Sequence, residues 1–325
     1  MFWALLAVLL GAFVALTAFR ARNFTKKAEQ DTPSVGQFIN VGGVPVHYIK
    51  QGSGPVLILI HGAGGHVKDF TYKHVARFSK DFTVIAFDRP GHGYTPVLKN
   101  TSATLAQQTR LITKAAKELG VTQAYILGFS YGGALALHMA THYKDFVKGL
   151  VLVSAVSMPW PGTINLNYRL MSKPFIGPAV MAFATAYFGD TYFRATYATV
   201  FAPHATPKGY LDHVGVNMSV RFRSFVENSR QLNSLYPQVL AQFDRYKDLT
   251  IPIELIHGTA DPTVPDIIHA KEFIKLVPHA HLVQVHGMGH GTHQLAIPQI
   301  EAAVYAITAN TNVRTPNTIT TLRSV

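Results

Sequence analysis

Residues 125–133 read YILGFSYGG, a short apolar run followed by Ser130 with a glycine two positions to either side. Most serines sit in solvent or cap a helix, and a bare G-x-S-x-G pattern often arises by chance. The flanks distinguish this one. AYIL before it reads as a buried strand, and ALALHMATHY after it reads as a helix. A strand-to-helix turn of this kind is so tight that side chains at the glycine positions would collide. It also sets the serine at a helix N-terminus, where the positive end of the dipole favours developing negative charge. Ser130 is therefore a candidate nucleophile.

Working outward, VLILI (56–60), FTVIAF, GLVLVS, IPIELIH and HLVQV repeat the continuous aliphatic style of strands buried on both faces. FINVGGVPVHYIKQG reads as a hairpin about Gly42 and Gly43. Helix-length stretches lie between, such as Thr104–Leu119 with Gly120 as its stop signal. Alternating units of this sort predict an α/β fold with a mostly parallel sheet and helices on both faces. Sites in such sheets gather at the carboxyl ends of the strands. An activated serine needs a base, an orienting acid and an oxyanion hole. Strand ends supply candidates for each. HGTADPTVP delivers Asp261, and HGMGHGTH delivers His286, His290 and His293. The Gly-rich turn HGAGG (61–65) lets backbone N–H groups face an oxyanion.

From Gly36 to about Thr308 the chain resembles the α/β-hydrolase superfamily, carried by HGAGG, FDRPGHGYT, GFSYGG, HGTADPTVP and GMGHGTH in family order. More narrowly, it resembles the capped branch that includes esterases, carbon–carbon bond hydrolases and cofactor-free haloperoxidases. The resemblance implies an eight-stranded type of sheet with an inserted helical cap. It implies Ser130 as nucleophile, Asp261 as acid and His290 as base, with the Ala63 and Tyr131 amides as oxyanion donors. Relatives that use an aspartate nucleophile are disfavoured by the serine at position 130. No cofactor or metal is expected. The implied chemistry is cleavage of an acyl bond, an ester first of all, through an acyl-enzyme. Carbon–carbon cleavage, peracid chemistry and a non-catalytic membrane-tethered binding protein are the rival readings. Among other polar residues, His61 and His92 are expected to make structural hydrogen bonds and Asp88 to stabilise a turn. Asp69 and Asp266 read as helix-start residues, Ser154 and Ser157 as ordinary loop residues.

Composition bounds the rest. The 325 residues contain no cysteine, so disulfides and thiolate metal sites are excluded. The net charge is +12, but Lys and Arg are scattered, which favours an anionic lipid surface over nucleic acid. Phe2–Phe19 is an uncharged apolar run of membrane-spanning length. Nothing basic precedes it except the amino terminus, whereas Arg20, Arg22, Lys26 and Lys27 follow. Those flanks favour a retained anchor with the body on the cytoplasmic side over a cleaved signal peptide leading to a periplasmic or secreted protein. The expected organisation is an anchor and basic flank (1–30), hydrolase core (36–154), helical cap (155–250), core again (251–308) and flexible tail (309–325). The cap holds ten aromatic residues from Trp160 to Phe201, suited to packing against the main domain, to lining an apolar pocket for a lipophilic small substrate, or to facing the bilayer. The sequence does not fix the oligomeric state.

Overall fold

The computed structural model describes residues 1–98, 103–309 and 319–323. Nine strands form one sheet: β1 (Gln37–Val41), β2 (Val44–Gln51), β3 (Val56–Ile60), β4 (Thr83–Phe87), β5 (Ala124–Phe129), β6 (Val147–Val153), β7 (Ile253–Gly258), β8 (His281–His286) and β9 (Ile319–Arg323). Their spatial order is β1-β2-β4-β3-β5-β6-β7-β8-β9. Only β2 runs against its neighbours; every pair from β4 onward is parallel. The β1–β2 hairpin turns at Gly42 and Gly43, both at positive φ, which glycine adopts without steric cost.

Before the sheet runs α1 (Phe2–Asp31), and α2 (Lys68–Thr71) and α3 (His74–Phe78) precede β4. Then come α4 (Leu105–Glu118) and α5 (Tyr131–His142). Seven helices lie between β6 and β7: α6 (Leu166–Met171), α7 (Ile176–Tyr187), α8 (Asp190–Ala198), α9 (Tyr210–Val214), α10 (Asn217–Val220), α11 (Phe222–Asn233) and α12 (Leu235–Gln242). The chain closes with α13 (Ala270–Leu276), α14 (Thr292–Leu295) and α15 (Ile297–Thr308).

The aliphatic strand style has a direct cause. Successive side chains of β3 point to opposite faces, so Ile58 and Ile60 join the core beneath α4 and α5. Leu57 and Leu59 join the core on the other face, with Ile300, Val304 and Ile307 of α15. Both faces are apolar because both are covered. α4 begins on a Thr104–Gln107 capping box, which satisfies N–H groups left without partners in the first turn.

The sheet carries one strand more than the eight-stranded type, and that strand comes from the 309–325 segment expected as a flexible tail. Residues 319–323 instead add β9, parallel to β8 from Leu282 opposite Ile319 to His286 opposite Arg323. A strand gains its ladder from the sheet edge it meets, and a threonine-rich segment suits that edge. The rest of the tail, 310–318 and 324–325, lies outside the described residues.

Candidate active site

Ser130, Asp261 and His290 meet at the carboxyl edge of the sheet, from loops after β5, β7 and β8. Ser130 has φ 53° and ψ −117°, a conformation side-chain-bearing residues rarely adopt. Its N–H donates to the Val153 carbonyl at 3.0 Å, and its own carbonyl accepts from Gly133 and Val156. These bonds over-determine the turn and hold the strain. A Cβ on Gly132 would be driven into the Ile60 carbonyl, and one on Gly133 into the Ala155 side chain. His290 Nε2 lies 3.0 Å from Ser130 Oγ, and His290 Nδ1 lies 2.7 Å from Asp261 Oδ2. A carboxylate only accepts, so Nδ1–H donates to Asp261 and the Nε2 lone pair faces the serine hydroxyl. Asp261 Oδ1 accepts from the Thr263 and Val264 amides, each at 2.9 Å. Burial pushes the Asp261 carboxyl up, but the facing His290, then His257 and the Val264 amide, outweigh it and hold its pKa below the usual value.

The Gly-rich turn lies against the serine. Gly62 is so close that a Cβ there would come within 3.2 Å of Ser130 Cβ. Ala63 is exposed, and its N–H has no acceptor among the described residues. Tyr131 is the first residue of α5, so its N–H has no intrahelical partner. Neither amide has a hydrogen-bond acceptor among the described residues.

Residues the sequence singled out separate cleanly. His61 Nε2 accepts the Arg89 N–H at 3.0 Å and its Nδ1–H donates to the Gly62 carbonyl, while His92 Nδ1 lies 3.1 Å from the Pro90 carbonyl. Burial, then the Arg89 charge, holds His61 well below its ordinary pKa and pulls His92 down to about 3. Asp88 pairs with His47 at 2.6 Å and accepts the Val67 and Tyr94 amides, fixing its turn as expected. His286 ends β8 exposed, and His293 lies on α14. Ser157 donates to the His269 carbonyl. Ser154 departs from an ordinary loop residue: it is buried at φ 41° and donates to Thr292.

Of the two helix-start aspartates, Asp69 stands at a helix start and Asp266 does not. Asp69 does stand in the first turn of α2, but it caps nothing. Its buried carboxylate accepts the Tyr210 hydroxyl and lies 3.6 Å from His293 Nε2, joining the core to the helical insertion. Asp266 lies in a turn four residues before α13 and accepts from Gln284. Charge at these positions is used across the fold, where local sequence gives no sign of it. Among the described residues, no group of three or more His, Asp or Glu is placed to hold a metal ion.

Two further residues brace the turn and escape sequence reasoning. Arg89, fully buried, donates to the His61 carbonyl at 3.1 Å and the Gly62 carbonyl at 2.9 Å. Asn228 of α11 accepts the Gly64 N–H at 2.9 Å. FDRPGHG carried the only local signal for Arg89; for Asn228 there was none, because its partner is 164 residues away.

A serine strained on a strand-to-helix turn, with imidazole and carboxylate aligned behind it, defines a hydrolase of the α/β class. The chain belongs to the alpha/beta hydrolase fold family, whose pattern it matches over residues 55–295. It is 35% identical over 142 residues to the dihydrolipoyllysine-residue acetyltransferase component of an acetoin cleaving system from Cupriavidus necator. That match covers 43% of this chain and only 37% of the relative. It is 30% identical over 245 residues to the pimeloyl-[acyl-carrier protein] methyl ester esterase of Vibrio vulnificus, covering 72% of this chain and 86% of the relative. Its fold matches the 2-hydroxy-6-oxo-6-phenylhexa-2,4-dienoate hydrolase of Rhodococcus sp. strain RHA1 with a TM-score of 0.70 at 18% identity, covering 85% of this chain and 98% of that one.

Proposed function

We propose that the chain is a membrane-anchored serine hydrolase that cleaves an ester of a lipophilic acyl or alkyl substrate. The observation that carries this reading is the Ser130–His290–Asp261 line, with contacts of 3.0 and 2.7 Å. His290 Nε2 takes the serine proton as Oγ attacks the acyl carbonyl. The Ala63 and Tyr131 amides receive the oxyanion, and Asp261 holds the imidazole tautomer and balances its cation. His290 then returns the proton to the leaving alkoxide. Water, deprotonated by the same imidazole, attacks the acyl-enzyme; the acid departs and Ser130 regains its proton.

An ester is favoured because the similar Vibrio protein, matched along 72% of this chain, is a methyl ester esterase. Likeness to the Rhodococcus dienoate hydrolase supports the fold alone, so carbon–carbon cleavage stands second. The anchor reading rests on Phe2–Phe19 and its basic flank, which puts the body on the cytoplasmic side. Docking of α1 supports retention over signal cleavage: removing the apolar run would strip the Phe13 and Thr17 contacts from Tyr187.

A fluorophosphonate probe applied to purified protein should label Ser130, and Ser130→Ala should abolish the label. Failure to label folded wild type would sink the serine-hydrolase reading. Across an ester series, turnover should rise with acyl length; turnover of short polar esters alone would refute the lipophilic substrate.

A further inference from the structure

The helix expected to act as a tether is built into the body of the protein. α1 is continuous from Phe2 to Asp31, and Thr17, Ala21 and Ala28 are buried along one side. Phe13 stacks on the Tyr187 ring at 6.0 Å, Thr17 Oγ1 lies 2.9 Å from the Tyr187 hydroxyl, and the Arg20 guanidinium sits 5.2 Å above the same ring. Lower down, Phe24 meets Phe193 edge-on, and Glu29 pairs with Arg221 at 2.6 Å. Tyr94 then donates to the Thr32 carbonyl at 2.7 Å. The helical insertion is thus fixed at a set height on α1.

That height matters. Phe13 precedes Arg20 by seven residues, about 10 Å along a helix axis. Tyr187, touching both, therefore lies level with the last part of the apolar run and not beyond it. Tyr187 ends α7, which carries no charged residue. Gly177, Met181 and Ala184 of α7 face the body, buried. Ile176, Val180 and Phe183, at spacings of four and three, form an exposed stripe on another side. Phe175, Phe188 and Tyr192 extend it. An apolar stripe of this kind is unfavourable in water. Arg20, Arg22, Lys26 and Lys27 of α1, all exposed, come next along the helix, where a spanning apolar run would bring them to lipid phosphates.

We propose that the α7–α8 edge of the insertion is a lipid-docking surface, its exposed stripe embedded in the bilayer leaflet that α1 enters. The protein then holds the membrane by two contacts, a spanning helix and an in-plane helix. The arrangement presents to the bilayer the insertion whose Phe201 packs against Gly291, next to His290, and whose Asn228 holds Gly64, a route for the lipophilic ester proposed above. The docking rests on the reading of α1 as a membrane span.

The absence of cysteine makes the test direct. Full-length Val180→Cys, Phe183→Cys and Lys80→Cys variants, each carrying an NBD fluorophore, are reconstituted in phosphatidylcholine–phosphatidylglycerol vesicles containing doxyl-labelled lipid. Lys80 lies at the opposite end of the sheet, just before β4. Probes at 180 and 183 should be blue-shifted and quenched, and the probe at 80 should not. Unquenched probes at 180 and 183 on vesicle-bound protein would overturn the proposal. So would failure of the chain to float with vesicles, or energy transfer between labelled copies in place of quenching, which would mean that a second copy covers the stripe. Fluorophosphonate labelling of the same samples keeps the two readings apart. Quenching without labelling removes the hydrolase and leaves the docking; labelling without quenching does the reverse.

Discussion

Ser130 holds a backbone conformation that costs on the order of 1–3 kcal/mol, kept in place by three main-chain hydrogen bonds. The strain lifts Oγ out of the turn toward His290. The Gly-rich turn opposite is closed by the Gly65 N–H and the His61 Nδ1–H on the Gly62 carbonyl and is braced from outside as well: Arg89 holds its carbonyls, and Asn228 holds Gly64, next to the Ala63 amide. On the oxyanion role proposed for the Ala63 amide, Asn228 is a positioning residue acting through it. Asn228→Ala should lower kcat by about tenfold, less than outright loss of an oxyanion donor, and leave KM nearly unchanged. Asn228→Asp keeps an accepting oxygen and should lose less. An equal loss in both variants, or a change confined to KM, would contradict the role. The candidate nucleophile, acid and base were legible because each lies just after an aliphatic strand in a short glycine-marked motif. Asn228 was not legible: it lies on an amphipathic helix, and no local pattern records what a side chain meets across the fold.

At the scale of elements, the β5–turn–α5 unit depends on close approach. Gly132 lets the first turn of α5 pass against the Ile60 carbonyl of β3, where no Cβ fits. Ile60 is fully buried and its strand is paired on both sides, so the neighbour has no freedom to give. Gly132→Ala should therefore destabilise the fold by about 3 kcal/mol or more, read as a lowered thermal midpoint in detergent. It should also lower fluorophosphonate labelling below the melting range, since Ser130 rides on the displaced turn. A midpoint matching wild type would show that the contact relaxes. Strands β3 to β8 could be read directly because a doubly covered sheet demands uninterrupted aliphatic runs. β9 escaped because its five residues gain their order from pairing with β8, and threonine-rich composition alone fits a tail equally well.

Across the whole molecule, the sequence separated an anchor from a body, and the structure joins them through Tyr187, Phe193 and Arg221. The apolar run was legible by length, but its docking was not, because a stripe of Thr17, Ala21 and Ala28 looks like any small-residue spacing. The body also buries titratable groups widely, and this fixes its response to acid. Burial brings His74 down to about 4, and His92 and His269 down to about 3. In the unfolded chain each titrates near 6.5. A lowered folded pKa means that their stabilising contribution is complete above about pH 6.5 and is lost as pH falls toward the folded values. Near pH 5, unfolding should take up about three protons from these histidines alone. Asp69, Asp88 and Asp261 act lower down. Burial raises each, but His293, His47 and His290 respectively outweigh it, so all three stay below the ordinary value. Their contribution is present above about pH 4 and disappears as pH drops through the folded values. The thermal midpoint should therefore hold between pH 8 and 7, decline from about pH 6.5 to 5 and collapse below 4. The first decline belongs to the histidines, so His269→Asn should make it shallower while leaving the collapse in place. A midpoint constant from pH 8 to 5 would show that the buried imidazoles take up protons without unfolding.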